Sequence, residues 1–250
     1  MAKFKIVLQQ YLCRFPNLYA TLLNLMLSKN KEKVCYLRLI KRNDVVIELG
    51  ANRGFYTSLF SNIVGKKGLV YGFEAVPTTY QILRKNVSTF SNFKNYKLIN
   101  KAVADENSSR KIYLPNDDDG QASLQKQEFG SWKGGLVSSL DCKVVRLDDY
   151  FAQQQISKID FVKCDIEGAE LLALKGMKQL LAKYKPILFL EICAQWTKSF
   201  GYKPSDILEF LKQNGYKKFD TISDNLSSNN NSNINSIAEN GVNIICRYND

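Results

Sequence analysis

Histidine is absent from this sequence of 250 residues. Its absence excludes a histidine general base, a histidine metal ligand and any Ser-His or Cys-His nucleophile system. A metal bound only by carboxylates stays open, but no metal site is predicted. Proton transfer must therefore come from other side chains, and Asp and Glu are the candidates considered below.

Paired cysteines and long apolar runs are also missing. The six cysteines contain no Cys-x-x-Cys pair, which indicates scattered, reduced thiols in a cytoplasmic protein. Residues 5–27 carry apolar side chains at helical spacing, but polar residues such as Gln9 and Arg14 interrupt them. The run is too broken for a transmembrane helix, which needs ~20 apolar residues, and it lacks the core of a signal peptide.

The charge is unevenly distributed. The chain has a net charge of +11, and residues 1–43 contain nine Lys or Arg and one acidic residue, a net of +8. Such a segment is usually a solvated face, but it could meet an acidic partner, a membrane surface or nucleic acid. We predict a helical N-terminal extension over 1–43, with Pro16 opening its second helix. It would pack on the main domain or form a homo-oligomer contact, and a surface-bound amphipathic helix is the weaker alternative.

The main domain, 44–250, begins with a strand, a glycine turn and a helix. Val45, Val46 and Ile47 are β-branched and predict a buried parallel strand. Gly50, Asn52 and Gly54 follow, and such a turn lets the backbone approach a ligand closely.

A second apolar strand, 69–73, ends at Glu74. A carboxylate at this position, about 20 residues past the glycine turn, suits the two hydroxyls of a nucleoside ribose.

Strands and helices alternate along the rest of the domain, which predicts a parallel sheet with helices on both faces. We predict a third strand over 98–103, an irregular segment over 115–140 and a long helix that opens at 165–170 and ends at Tyr184. The last two strands, 217–222 and 242–247, have no helix between them and should pair as a hairpin. Residues 223–240 are rich in Asn and Ser and predict a mobile loop.

Five acidic residues end predicted strands, and the carboxyl ends of parallel strands are where such sheets bind ligands. They are Glu48, Glu74, Asp105, Asp165 and Glu191. Repulsion among carboxylates destabilises such a cluster unless a cation lies among them. S-adenosylmethionine, with a sulfonium and an α-amino group, meets that need.

Eight sequence blocks, in order, resemble the FkbM-type methyltransferases, which use S-adenosylmethionine. The blocks begin at Glu48, Gly72, Ala102, Ala122, Val145, Asp160, Leu174 and Pro186, and the most specific is Lys163-Cys-Asp-Ile-Glu-Gly-Ala-Glu. The resemblance implies a Rossmann-like class I fold of the α/β class. Its sheet would have seven mostly parallel strands, helices on both faces and a C-terminal antiparallel hairpin.

The resemblance also implies roles for individual residues. Glu48 and the turn Gly50, Asn52, Gly54 would hold the methionine end, and Glu74 the ribose. Ala104 and Asp105 would lie beside the adenine, Asp165 near the methyl donor, and Glu167 with Glu170 around the acceptor. Two departures stand out: the family usually has Asp at the Glu48 position, and it often has His where this chain has Cys193.

The resemblance implies O-methylation of a hydroxyl on a sugar, a glycan or a small metabolite, and Asp165, Glu167 or Glu191 is the candidate base. A nucleic-acid methyltransferase that uses the basic N-terminal segment is an alternative. However, the chain lacks the Asn/Asp-Pro-Pro-aromatic block of amino-directed enzymes, so no nucleic-acid partner is expected. A non-catalytic binding or scaffold protein that keeps the fold is the third hypothesis.

Overall fold

The computed structural model describes residues 8–25, 31–116, 118–222, 238–239 and 241–248. Its strands are β1 Val45–Leu49, β2 Leu69–Phe73, β3 Tyr96–Ile99, β4 Ala102–Ala104, β5 Ser108–Pro115, β6 Val137–Arg146, β7 Phe161–Cys164, β8 Ile187–Ile192, β9 Tyr216–Thr221 and β10 Val242–Tyr248. Its helices are α1 Pro16–Leu25, α2 Lys31–Leu39, α3 Phe55–Val64, α4 Pro77–Phe90, α5 Leu147–Ala152, α6 Glu170–Gly176, α7 Lys178–Tyr184, α8 Ala194–Lys198 and α9 Pro204–Gln213. Residues 8–12 are also helical.

The main sheet has seven strands in the order β3-β2-β1-β7-β8-β10-β9. All neighbours pair in parallel except β10, which is antiparallel to both β8 and β9. The predicted mostly parallel sheet and C-terminal hairpin are therefore confirmed. The strand order changes direction between β1 and β7, and ligands of open α/β sheets bind at such a point.

Successive residues of β1 face opposite sides of the sheet, because side chains alternate along a strand. Val46 packs in one core with α2 and α3, and Ile47 packs in the other core with α6, α7 and α9. Both strand faces are thus buried, which explains the continuous apolar run in the sequence.

The predicted third strand is wrong in its extent. β3 ends at Ile99, and β4 belongs to a separate sheet of three strands in the order β4-β6-β5. The Asn100 side chain makes the break: its amide donates to the carbonyl oxygens of Glu74 at 2.8 Å and Ala75 at 3.1 Å. The predicted irregular segment is also too long, since β6 begins at Val137 and pairs along the whole of β5.

The single long helix predicted up to Tyr184 is also wrong. Residues 165–169 form a loop, with Glu167 at φ 53° and Gly168 at φ 100°, and the helix is divided into α6 and α7 at Met177. The loop directs side chains toward the end of β7, where the candidate site lies.

The N-terminal segment shares the core of the sheet. Tyr36 of α2 is fully buried, and its ring lies 4.6 Å from the ring of Phe189 and 5.1 Å from that of Phe60, measured between centroids. Cys13 and Tyr19 are buried in the same core. The N-terminal segment therefore packs on the main domain, and the boundary at residue 43 stays a prediction.

Most of the predicted loop at 223–240 lies outside the described residues. All six cysteines are free thiols, five of them buried. Within the described parts of the chain, no helix has the length and apolar character needed to cross a bilayer.

Candidate active site

A cleft lies at the carboxyl ends of β1, β2 and β7, with ≈ 680 Å³ of empty space that includes open solvent. Its acidic lining residues are Glu74, Asp119, Asp165 and Glu167. The rest of the lining is apolar or small apart from the polar Asn52 and the basic Lys101: Gly50, Phe73, Ala75, Ala102, Val103, Ile112, Gly120, Ala122, Leu124, Ile166 and Ala169.

The glycine turn forms one wall of the cleft. Gly50 has φ 80°, and its N–H donates to the carbonyl of Phe73 at 3.1 Å. A Cβ at Gly50 would lie 1.9 Å from the backbone oxygen of Asp165, so only glycine fits there. Gly54 instead faces Leu83 and Val87 of α4 and is absent from the cleft lining. Of the three predicted turn residues, Gly50 and Asn52 reach the cleft, and Gly54 packs a helix.

Glu74 lies at the tip of β2, where the sequence placed it. Its carboxylate accepts hydrogen bonds at 2.8 Å from the N–H groups of Asn52 and Val76. Burial raises the pKa of Glu74 to about 7, against the lowering effect of those N–H groups. Each carboxylate oxygen keeps a further acceptor site, which suits the two hydroxyls of a ribose.

The structure does not place Ala104 and Asp105 in the cleft. Ala104 is fully buried elsewhere and Asp105 is exposed. Because the chain turns after β3, the residues that line this side of the cleft come earlier in the sequence than predicted. They are Lys101, Ala102 and Val103. Ile112 of β5, in the second sheet, also lines this side of the cleft. Its position was not predicted, because β5 was not expected to form a sheet beside the cleft.

These walls fit S-adenosylmethionine. The apolar side suits an adenine ring, Glu74 suits the ribose, and the bare backbone at Gly50 gives close access for the amino-acid end. The acidic lining suits a ligand with a net positive charge.

Glu48 lies beneath the cleft and does not line it. Its side chain is buried, and its carboxylate accepts a hydrogen bond from the Thr57 hydroxyl at 2.5 Å. Burial raises the pKa of Glu48 to about 7, although the ammonium of Lys163, its partner across the β1–β7 ladder, lowers it. Glu48 is thus placed to support the turn from below.

Lys163 is the principal residue that the sequence argument missed. It is fully buried in β7, and its Nζ lies 2.7 Å from Oδ2 of Asp165. Burial alone would lower the pKa of Lys163, but the carboxylates of Asp165 and Glu48 outweigh it and raise the pKa. The Lys163 ammonium therefore offsets part of the negative charge of the strand-end acids. A bound cationic ligand is not the only group that can do so. The sequence did contain a signal for this role, because a lysine within the short buried strand Phe161–Cys164 needs a buried anionic partner.

Asp165, Glu167 and Glu191 lie close enough to one another and to Lys163 for these charges to shift the pKa values of Glu167 and Glu191. The carboxylate of Asp165, together with partial burial, raises the pKa of Glu191 to about 8. Burial, with the charges of Asp165 and Glu191, raises the pKa of Glu167 to about 9. Glu167 lines the cleft, whereas Glu191 is exposed and is not part of the lining. All three predicted bases are thus brought together.

Glu170 has a structural role in the loop before α6. Its Oε1 accepts hydrogen bonds from the N–H groups of Ile166 at 3.1 Å and Gly168 at 3.2 Å. It is buried and does not line the cleft. Burial raises the pKa of Glu170 to about 7, against the lowering effect of these N–H groups. The carboxylate therefore fixes the loop that presents Glu167.

The raised pKa of Glu170 predicts a pH dependence of stability. A folded-state pKa above the unfolded value contributes stability below about pH 4.3, and that stability is lost as the pH rises through about 7. We expect Glu170→Gln to flatten the fall in unfolding free energy between about pH 4.3 and pH 7 by up to about 1.4 kcal/mol per pH unit. Urea denaturation at several pH values measures it, with the exposed Glu209→Gln as control. An unchanged slope in Glu170→Gln would contradict the assignment.

Glu32 of the N-terminal segment also reaches this region. It accepts a hydrogen bond from the hydroxyl of Tyr36 at 2.8 Å and a second one from that of Tyr56. The ring of Tyr56 lies 5.4 Å from Nζ of Lys163. No functional residue was predicted before residue 44, so this contact was missed.

Cys193 occupies the position where the resemblance expected histidine. Its Sγ lies 3.8 Å from the carbonyl oxygen of Glu239. Burial raises the pKa of the Cys193 thiol, so the thiol stays protonated at neutral pH and does not replace the histidine as a base.

The site can be compared with known proteins. A family model described as the methyltransferase FkbM domain matches residues 48–218. The methyltransferase sdnD of Sordaria araneosa is 23% identical, and the match covers 58% of this chain and 65% of that protein. The chain thus spans less than two thirds of this relative's length.

Two solved structures show a similar fold. The fibrillarin pre-rRNA processing protein of Methanococcus jannaschii has a TM-score of 0.50 at 15% identity, covering 88% of this chain and 75% of that one. A SAM-dependent O-methyltransferase of Thermotoga maritima has a TM-score of 0.51 at 10% identity, covering 88% and 65%.

Proposed function

Since the chain belongs to the FkbM methyltransferase domain family, whose cofactor is S-adenosylmethionine, we propose that it methylates a hydroxyl group of a sugar, a glycan or a small hydroxylated metabolite. The observation that carries the proposal is the group of carboxylates around Lys163, next to a cleft that fits the cofactor. At 10–15% identity the two solved structures show the fold alone, so the preference for hydroxyls rests on this chain's own residues.

The residues divide between binding and proton transfer. Glu74, Asn52 and the backbone at Gly50 would hold the cofactor. When bound, S-adenosylmethionine supplies an activated methyl group on a sulfonium sulfur. Alignment of the acceptor against it contributes most of the rate, since effective molarities reach ~10⁵–10⁸ M in favourable systems.

A hydroxyl acceptor must also lose its proton. Lys163 donates a hydrogen bond at 2.7 Å to Oδ2 of Asp165 and so holds that side chain in place. Glu191, whose pKa of about 8 is set by that neighbour, can take up a proton near neutral pH. Its side chain is exposed, so an acceptor can reach it. We assign Glu191 as the general base and Asp165 as the charge that tunes it.

This assignment predicts a pH profile. A base works only when deprotonated, so the rate should rise with pH up to about 8, the pKa of Glu191. We expect Glu191→Gln to lower kcat about 10²-fold and to remove this rise. The affinity for S-adenosylhomocysteine should stay the same, because Glu191 does not line the cleft. Release of S-adenosylhomocysteine against a panel of sugars and hydroxylated metabolites gives the readout, with Glu209→Gln as the control for loss of charge. A wild-type profile retained in Glu191→Gln would assign the base elsewhere.

The product tests the reaction class itself. A methyl ether survives mild alkali, whereas a methyl ester is hydrolysed, so treating the methylated product with base before mass spectrometry separates the two. A methylated amine in that product would overturn the hydroxyl assignment and leave the cofactor site standing.

The cofactor site has its own prediction. Glu74→Ala removes the acceptor for the ribose hydroxyls, and we expect at least ~10-fold weaker binding of S-adenosylhomocysteine by calorimetry, since hydrogen bonds to charged groups contribute ~1.5–3 kcal/mol. Asp105→Ala is the matched control. Asp105 was also predicted to lie near the nucleoside, but in the structure it lies outside the cleft, so its removal should not change the affinity. Equal losses in the two variants would contradict the site.

A further inference from the structure

A second groove lies between the N-terminal helices and the body of the protein. It contains ≈ 1250 Å³ of empty space, including open solvent, and shares no lining residue with the cleft. Ile40 and Ile63, both buried, form part of its apolar lining, together with Leu37 and Phe93. Neither the family assignment nor the proposed reaction gives this groove a role.

The groove carries positive charge on an apolar lining. Its charged lining residues are Arg14, Lys41 and Arg42, and the set contains no acidic side chain. Arg14 is held in place because its Nε donates to Asn92 Oδ1 at 3.0 Å, and the Asn92 amide donates back to its carbonyl oxygen at 2.6 Å. A fixed cation beside apolar side chains suits a ligand that is both anionic and apolar.

Large apolar side chains project into solvent from the same part of the chain. Phe15 and Leu18 line the groove and are 60% and 52% exposed. Leu8 and Tyr11, just before them, are 48% and 53% exposed. Only seven large apolar residues of the described chain are exposed, and four of them lie within these eleven positions. Such clustering marks an interaction surface.

We propose that this surface, defined by Phe15, Leu18, Arg14, Lys41 and Arg42, docks on an anionic phospholipid bilayer. Phe15 and Leu18 would enter the interface between headgroups and acyl chains, and the three cations would meet the lipid phosphates. Apolar side chains flanked by Lys and Arg are the composition that interfacial helices use.

Charge decides between this partner and two others. A second copy seated on the same surface would bring Arg14, Lys41 and Arg42 against their own equivalents, because a two-fold interface uses the same patch twice. Nucleic acid would satisfy the cations, but it would leave Phe15 and Leu18 facing a hydrated phosphate backbone. An anionic bilayer satisfies both kinds of side chain.

Co-sedimentation of the full chain with lipid vesicles tests the proposal. We expect binding to phosphatidylcholine vesicles that contain phosphatidylserine, and little binding to phosphatidylcholine alone. The double variant Phe15→Ser/Leu18→Ser should bind about 10-fold more weakly. Charge reversal by Lys41→Glu/Arg42→Glu should lower binding by about 10-fold or more, and raising the salt concentration should lower wild-type binding.

Two matched controls separate this surface from general effects. Leu136→Ser removes an apolar side chain that is 85% exposed elsewhere, and Lys217→Glu/Lys218→Glu reverses two exposed charges on β9. Both should bind vesicles like the wild type. Each variant should keep the wild-type melting temperature and affinity for S-adenosylhomocysteine, which shows that it is folded.

Three results would overturn the proposal. The first is the absence of binding to anionic vesicles. The second is equal binding by the wild type and Phe15→Ser/Leu18→Ser. The third is a dimer in light scattering that dissociates in that variant without vesicle binding, which would assign the surface to a second copy.

Discussion

Replacing Gly50 with alanine is expected to abolish binding of S-adenosylhomocysteine and to lower the unfolding free energy by about 4 kcal/mol or more. The added Cβ would lie 1.9 Å from the backbone oxygen of Asp165, far inside van der Waals contact. Because that oxygen belongs to backbone, no side-chain rotation relieves the overlap. The turn after β1 or the loop after β7 must move, and both form walls of the cleft.

A second glycine separates this overlap from the cost of the backbone conformation. Gly201 has φ 77°, close to the 80° of Gly50, but a Cβ there would meet no atom within 4 Å. Gly201→Ala therefore carries only the left-handed backbone cost, about 1 kcal/mol. Urea denaturation and calorimetry on both variants give the comparison. Similar losses of stability in the two variants would show that the approach of β1 to β7 is looser than the structure indicates.

The elements that the sequence predicted well are those with strong local signals. The run 45–47 is apolar and β-branched throughout, and the glycine turn that follows Leu49 has the pattern of a nucleotide-binding crossover. Glu74 follows from the same pattern, because it ends the next strand. Each of these features is determined by a short stretch of chain, so a local sequence pattern is enough to predict it.

The errors come from long-range pairing. Asn100 ends β3 through hydrogen bonds to the segment after β2, which no local pattern reveals. β6 extends back to Val137 because β5 pairs with it, although Val137–Leu140 reads as a polar loop. For the same reason Ala104 and Asp105 were expected in the cleft, while Lys101–Val103 line it.

The five strand-end acids were predicted to lie close together around a cation, and the structure brings only some of them together. The structure brings Glu48, Asp165 and Glu191 around one cation and places Glu74 at the cleft, but it leaves Asp105 exposed. The expectation of a cation among the acids was sound, but a lysine of the chain itself provides part of that charge. The N-terminal segment adds Glu32 to the same region, which is why the boundary at residue 43 does not separate the site from the extension.

Lys163→Met should have the other large effect. The substitution nearly conserves volume but leaves the buried carboxylate of Glu48 and the half-buried one of Asp165 without their cation. Removing one partner of a buried ion pair costs about 3–5 kcal/mol. The matched control is Lys158→Met. Lys158 is 43% exposed and pairs with Asp160 at 2.9 Å, so its loss should cost at most about 1 kcal/mol.

The pH dependence of Lys163→Met identifies the cause. Without the ammonium, the pKa of Glu48 should rise above its present value of about 7, because the charge that lowers it is gone. An acid with a raised folded-state pKa stabilises the fold at low pH and loses that contribution as the pH increases. The cost of Lys163→Met should therefore be smaller at pH 5 than at pH 8. Adding Glu48→Gln should recover part of the loss at pH 8, and urea denaturation of the two single variants and the double variant measures this coupling. A cost that equals that of Lys158→Met, or that does not change with pH, would mean that Lys163 does not hold these carboxylates together.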